Sequence, residues 1–166
     1  KITEKYPEKL SDPEPIAIAA AKWSLLKVGR EQEIAFDIDE SITLDGDSGP
    51  YIQYTYARAK SVLRKGGDLS AQGTENNGSE NPTPTNEELS LLRHLYKFPE
   101  IIELAAKQYA PNVICTYLFE LAKRFNNLYN NCPIIGNDFR LSLTNATLII
   151  LASGLNLLGI KALEKM

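Results

Sequence analysis

Tyr51, Tyr54 and Arg58 stand at i, i+3 and i+7 of one run, a spacing that puts all three on a single face of a helix. Two phenol rings and a guanidinium in one stripe can stack bases and pair a phosphate, the usual means of holding single-stranded RNA. The same stripe also reads as tyrosines at a core's edge with an arginine that meets an acid. Phe125 and Tyr129, one turn apart, form a second aromatic pair. Lys123 and Arg124 stand nearby, and Asn126, Asn127, Asn130 and Asn131 add amides. Asparagines near a helix end serve equally well as plain caps.

Other chemistry is thinly represented. No nucleophile–base pair stands out, and no GxxxxGK phosphate loop is present. Asp37 and Asp39 alternate with Phe36 and Ile38, which makes their carboxylates the wet face of an extended segment. Asp45-Gly46-Asp47-Ser48-Gly49 opens like a calcium loop but lacks the closing glutamate about twelve residues in, so these residues read as turn formers and a helix cap. Cys115 and Cys132 have no CxxC spacing, and the single histidine, His94, cannot complete a zinc site. His94 reads as a surface or edge histidine. The residues themselves offer no catalytic and no metal-binding constellation.

The 166 residues suit one domain, or one with an appendage, and 43% apolar content is enough for an ordinary core. Eighteen Lys and Arg against 21 Asp and Glu give a net charge of −3. A generic nucleic-acid binder carries a basic excess, so any RNA contact here must rely on a local patch, on stacking or on shape. Segment 148–160 is broken by Ser153, Gly154 and Asn156 and falls short of the roughly 20 apolar residues of a membrane span. With two free thiols and no leader, the expectation is a soluble chain of a reducing, cytoplasmic compartment. The chain opens on Lys-Ile-Thr and its one methionine is Met166, which suggests a piece whose upstream chemistry is missing.

The elements that must carry these side chains follow from periodicity. Asp12-Pro13-Glu14 starts a helix, with Asp12 as N-cap, that runs through Ile16, Ala19, Ala20, Trp23 and Leu26 and closes at Gly29. Glu33 to Asp39 alternates apolar and acidic residues, predicting a short strand or extended segment with one buried face. A helix from about Tyr51 to Lys65, with Ile52, Ala59, Val62 and Leu63 as core contacts, stops at Gly66-Gly67. Residues 66–86 are rich in Gly, Ser, Asn, Thr and Pro and predict a flexible linker. Thr85-Asn86-Glu87-Glu88 caps a helix to about Tyr96, and Phe98-Pro99 restarts one. Pro111 opens another, ending near Cys132-Pro133, and Asn137 or Asp138 begins the last, which runs to Gly159. The fold class expected is all-α, a helical bundle with a short extended segment near 33–39.

The run from Ser48 through Gly49-Pro50-Tyr51-Ile52-Gln53-Tyr54-Thr55-Tyr56-Ala57 to Arg58, followed by Ser61-Val62-Leu63-Arg64-Lys65, resembles the signature that opens the C-terminal, DALR-type anticodon-binding domain of arginyl-tRNA synthetases. Phe36 to Asp39 resembles that family's extended segment ahead of the helix. Tyr117 to Ala122, through Phe125 to Tyr129-Asn130, resembles its central helix. Arg140-Leu141-Ser142-Leu143 followed by Ala146 resembles the start of its last helix, and Leu157 to Met166 its terminus. Leu163 stands where the family commonly has proline, and Lys165 where it often has arginine.

The resemblance implies residues 1–47 as a connecting segment after an absent catalytic domain, and 48–166 as a helical anticodon-binding domain. It implies a pocket for the anticodon loop formed by Tyr51, Tyr54, Arg58, Phe125, Tyr129 and Met166, with the cytosine at the middle anticodon position as the discriminating base. The partner implied is tRNA(Arg), with neither DNA nor membrane. Arginine and ATP with Mg would serve the full-length ligase, whose HIGH-like and KMSKS-like sequences are missing here, so the chain alone is expected to be inactive and to hold no cofactor. The rival readings are the bundle of another class I synthetase, of the cysteinyl or methionyl type, and a helical protein-interaction scaffold led by the 138–160 helix.

Overall fold

A computed structural model describes residues 13–71 and 83–166, and among these residues the fold is seven helices and no strand. They are α1 (Glu14–Leu26), α2 (Ile38–Ser41), α3 (Gly49–Ala71), α4 (Asn86–Tyr96), α5 (Phe98–Gln108), α6 (Pro111–Asn131) and α7 (Asp138–Leu157). The all-α expectation holds. Asp12, expected to cap α1, lies outside the described residues, as does the middle of the expected linker.

The long helix α6 is the axis of the bundle. It touches α1, α3, α4, α5 and α7, and the sequence says why: Ile114, Cys115, Tyr117, Leu118, Leu121, Ala122, Phe125 and Leu128 are all buried. These positions cover more of the helix's circumference than the single stripe of a surface helix, so neighbours must pack on more than one side. Trp23, Ile52, Leu91, Leu151 and Leu155 from the surrounding helices close the core with no exposed surface.

Two expectations are corrected. The alternating run 33–39 makes no strand. Residues 33–37 are irregular, and Ile34, Phe36 and Ile38 each leave about half their surface in water instead of burying a common face. Asp37 ends the run by capping α2, its carboxylate accepting from the backbone N–H groups of Asp39 (2.7 Å) and Glu40 (3.0 Å). The second correction concerns Gly66-Gly67, which does not stop α3; the helix continues to Ala71. Glycine in a helix costs on the order of 1 kcal/mol against alanine, and here packing outweighs it. α3 has its most extensive contact with α7, and a Cβ on Gly66 would come within 2.7 Å of a Leu141 methyl. The glycine lets the two helices approach.

The helix starts follow the sequence closely. Thr85 caps α4 in a reciprocal capping box with Glu88. Asn137 caps α7 by accepting from the Arg140 N–H at 3.0 Å. Ser48 lies buried at the head of α3, its hydroxyl accepting from the Tyr51 N–H at 3.2 Å. α1 ends at Leu26, three residues before Gly29, and α7 at Leu157, beyond which Gly159 takes a φ of 65°.

Past α7 the tail folds back along the start of the bundle. Ile160 is buried, and the carbonyl of Lys161 accepts from the side-chain amide of Gln53 at 2.7 Å. Gln53, itself without exposed surface, also reaches the carbonyl of Pro15 at 3.4 Å. One amide thus ties α1, α3 and the tail together.

Candidate RNA interface

Helix α3, the end of α6, the segment 132–135 and the tail 164–166 enclose a cleft of about 730 Å³. Four of its lining residues are cationic, namely Arg58, Arg64, Lys65 and Lys165, against one acidic side chain, Glu164. That carboxylate pairs with Lys60 at 3.2 Å and holds the lysine above its ordinary pKa. A chain of net charge −3 therefore carries a basic hollow, the local patch that its overall balance required of any RNA contact.

Arg58 is the centre of this hollow. Its guanidinium carbon lies 4.8 Å from the ring centre of Tyr54 and 5.0 Å from that of Tyr129, within cation–π range of both. Its Nη1 donates to Asn126 Oδ1 at 2.6 Å. Among the described residues no carboxylate pairs with it, so the reading in which Arg58 meets an acid is set aside. The charge is held by a neutral amide and two rings, and remains available.

Asn126 is fixed in turn. Its Nδ2 donates to the Tyr51 hydroxyl at 2.9 Å and to Thr55 Oγ1 at 3.1 Å, and Thr55 donates to the Tyr51 carbonyl at 3.0 Å. Turning the amide over would aim an NH₂ at the guanidinium, so the oxygen must face Arg58.

The six residues singled out from the sequence divide here. Tyr54, Arg58, Tyr129 and Met166 line the cleft, and Tyr129 keeps 42% of its surface exposed. Tyr51 does not line it. Its ring meets Phe119 edge-on with centroids 5.8 Å apart, and its hydroxyl serves Asn126. Phe125 has no exposed surface and sits in the core, 6.5 Å from the Tyr129 ring centre. A buried face cannot stack on a ligand, so Phe125 supports Tyr129 from beneath. Sequence reasoning passed over Asn126 as one amide in an asparagine-rich helix end; nothing in the local pattern separates it from Asn127, because only the α3–α6 contact does. The cations Arg64, Lys65 and Lys165 were likewise not assigned to the cleft.

The remaining titratable groups belong to the fold. Burial pushes the Cys115 thiol up to about 12, which keeps it protonated. His94 stacks on Tyr117 with ring centres 4.4 Å apart, and burial, aided by nearby Arg124 and Lys97, lowers its pKa. It is an edge histidine, as expected. Asp47, the turn former, accepts from the Trp23 indole N–H at 2.9 Å. No group of three or more His, Cys, Asp or Glu among the described residues is placed to hold a metal ion, and no described helix is long and apolar enough to cross a membrane.

Residues 52–166 match the DALR anticodon binding domain. The chain belongs to that family. Two relatives are arginine–tRNA ligases: that of Fusobacterium nucleatum is 37% identical over 99% of this chain and 30% of its own length, and that of Pasteurella multocida is 37% identical over 96% and 29%. Among solved structures, the Thermus thermophilus arginyl-tRNA synthetase superposes with a TM-score of 0.79 at 32% identity, covering 99% of this chain and 29% of that one. The Plasmodium falciparum arginyl-tRNA synthetase gives 0.76 at 28% identity, over 92% and 27%. The chain thus spans about three tenths of the length of the relatives it matches. The DALR match takes in all of α3 beyond its first residues, all of α6 and the tail, which are the elements that build the cleft.

Proposed function

We propose that this chain is the anticodon-reading part of an arginine–tRNA ligase, and that the cleft around Arg58 receives the anticodon loop of tRNA(Arg). The observation that carries this reading is a guanidinium between two tyrosine rings with no carboxylate partner among the described residues, in a basic hollow of an otherwise acidic DALR domain. Unstacked bases bind on aromatic and guanidinium faces, each stack contributing about 1–3 kcal/mol. The surrounding Arg64, Lys65 and Lys165 suit the phosphates that flank such a base. Tyr54, Arg58, Tyr129 and Met166 are the direct contacts in this reading, with Tyr51 and Phe125 as supports.

Ligation itself, which joins arginine to tRNA at the expense of ATP with Mg, is assigned to a catalytic domain outside this chain. Residues 1–47 then form the connection to that domain and 48–166 the anticodon-binding unit, a boundary supported by the family match beginning at residue 52. A cytoplasmic setting accords with the two free cysteines.

The test is equilibrium binding of the chain to two RNA stem-loops, the anticodon arm of an arginine tRNA and the same arm with its middle cytosine replaced. The expected result is preference for cytosine that is lost in Tyr54→Ala. Equal, salt-sensitive binding of both would reduce the cleft to a general RNA surface. Arginine-dependent ATP–pyrophosphate exchange by this chain alone would overturn the division of labour.

A further inference from the structure

We infer that Asn126 is the positioning residue of the cleft, a neutral clamp that sets the plane of Arg58 between Tyr54 and Tyr129 while leaving its charge uncancelled. Unrestrained, an arginine side chain samples many rotamers, and cation–π attraction to two rings at about 5 Å does not by itself select one orientation of the guanidinium plane. The 2.6 Å bond from Nη1 to Asn126 Oδ1 does select it. The amide cannot turn away, because its own N–H groups are committed to Tyr51 and to the buried Thr55. The clamp therefore runs from the core through Thr55 and Asn126 to the guanidinium, and Tyr51 belongs to it, which explains a tyrosine of the stripe that faces away from the cleft. Aspartate has the same shape as asparagine and would hold Arg58 as firmly, since the Tyr51 hydroxyl can donate to it, and that of Thr55 can do so on releasing the Tyr51 carbonyl. It would also neutralise the cation. An amide at this position separates orientation from charge cancellation.

The placement stands on geometry alone; its consequence for binding rests on the RNA-reading proposal, and two readouts keep them apart. The first needs no RNA. The Nε–Hε resonance of Arg58 should be shifted by the ring currents of both tyrosines in the wild-type chain, and in Asn126→Ala should move to the position of the exposed arginines. In Asn126→Asp it should stay shifted. The second readout is affinity for the cytosine-bearing stem-loop as a function of salt. Asn126→Ala should lose about tenfold in affinity, the scale of one hydrogen bond to a charged group, with the salt dependence kept. Asn126→Asp should weaken binding and flatten the slope of log affinity against log salt by about 0.7, the loss of one phosphate contact on a single strand. In an Arg58→Ala background neither substitution should have a further effect. An unmoved Arg58 resonance in Asn126→Ala overturns the inference, whatever the RNA does. A moved resonance in a chain that binds both stem-loops equally upholds the placement and sinks the RNA reading instead. Because the aspartate variant is isosteric, a folding failure of the alanine variant leaves the salt-slope test standing, and an unchanged slope in Asn126→Asp then overturns the inference.

Discussion

Arg58 and Arg140 belong to two helices of the same bundle, α3 and α7, and answer to opposite rules. Arg140 donates through Nε to the Glu88 carboxylate at 2.6 Å and through Nη1 to the Pro133 carbonyl at 2.8 Å, with 16% of its side chain and 5% of that of Glu88 exposed. Glu88 also completes the capping box of α4, so this pair joins α4, α7 and the segment after α6. Arg58 has an amide and two aromatic faces and, among the described residues, no carboxylate. A guanidinium whose donors are met by a buried acid holds a fold together, whereas one oriented by neutral groups keeps its charge for a visitor.

The largest expected effect breaks the first half of that contrast. Arg140→Leu leaves the Glu88 carboxylate buried without its counter-ion and should lower unfolding free energy by about 3 kcal/mol, read by thermal or urea unfolding. The pH dependence gives the sign. Burial alone would raise the Glu88 pKa, but the Arg140 hydrogen bond, the Thr85 backbone N–H and the Arg140 charge bring it below the ordinary carboxylate value. Its stabilising contribution is therefore present above about pH 4.5 and is lost as pH falls through its own lower pKa. With Arg140 gone burial is opposed only by the hydrogen bonds from Thr85, the carboxyl moves up, and the variant's deficit should shrink in acid. A deficit that stays constant from pH 7 to pH 4 would show that the ion pair is not its source.

The second half is broken on the binding side. Tyr54→Ala and Tyr129→Ala each remove one face of the Arg58 sandwich and should weaken stem-loop affinity by about 1–3 kcal/mol, with melting temperatures little changed because both rings lie at the edge of the core. Phe125→Leu, by contrast, should act on stability first, costing about 1 kcal/mol for a partly filled core site; titration alongside calorimetry separates the two classes. The smallest effect sharpens the account of α3. A Cβ on Gly67 would meet nothing within 4 Å, so Gly67→Ala should raise stability by about 0.5–1 kcal/mol through helix propensity. Gly66→Ala should not, because its Cβ would press on Leu141.

That glycine pair marks where the sequence stopped being informative. Helix starts were legible because caps are local chemistry: Thr85, Asn137 and Ser48 each act within three residues of themselves. The end of α3 was not, since Gly66 is kept helical by a leucine 75 residues away. The alternation at 33–39 had the period of a strand but no partner strand, and Asp37 caps a turn instead. In the cleft, residue types marked Tyr51, Tyr54, Arg58, Phe125 and Tyr129, and the family resemblance added Met166, but neither could tell a lining ring from a supporting one. Phe125 was separated from the others by burial, and Tyr51 by its contacts with Phe119 and Asn126, both of which depend on where α6 crosses α3.

The cleft has a consequence for how the molecule comes into being. Its walls are drawn from residues 54–65, 129–135 and 164–166, and its tail is moored by Gln53 to a carbonyl 108 positions further along. Contacts of such long sequence separation form late, after the local helices, because closing so large a loop costs entropy before any contact rewards it. A partly folded chain, with helices present but the tail not yet seated, has an open trough in place of a pocket. If the cleft binds RNA as proposed, recognition is a property of the finished molecule only, and an immature chain does not compete with it.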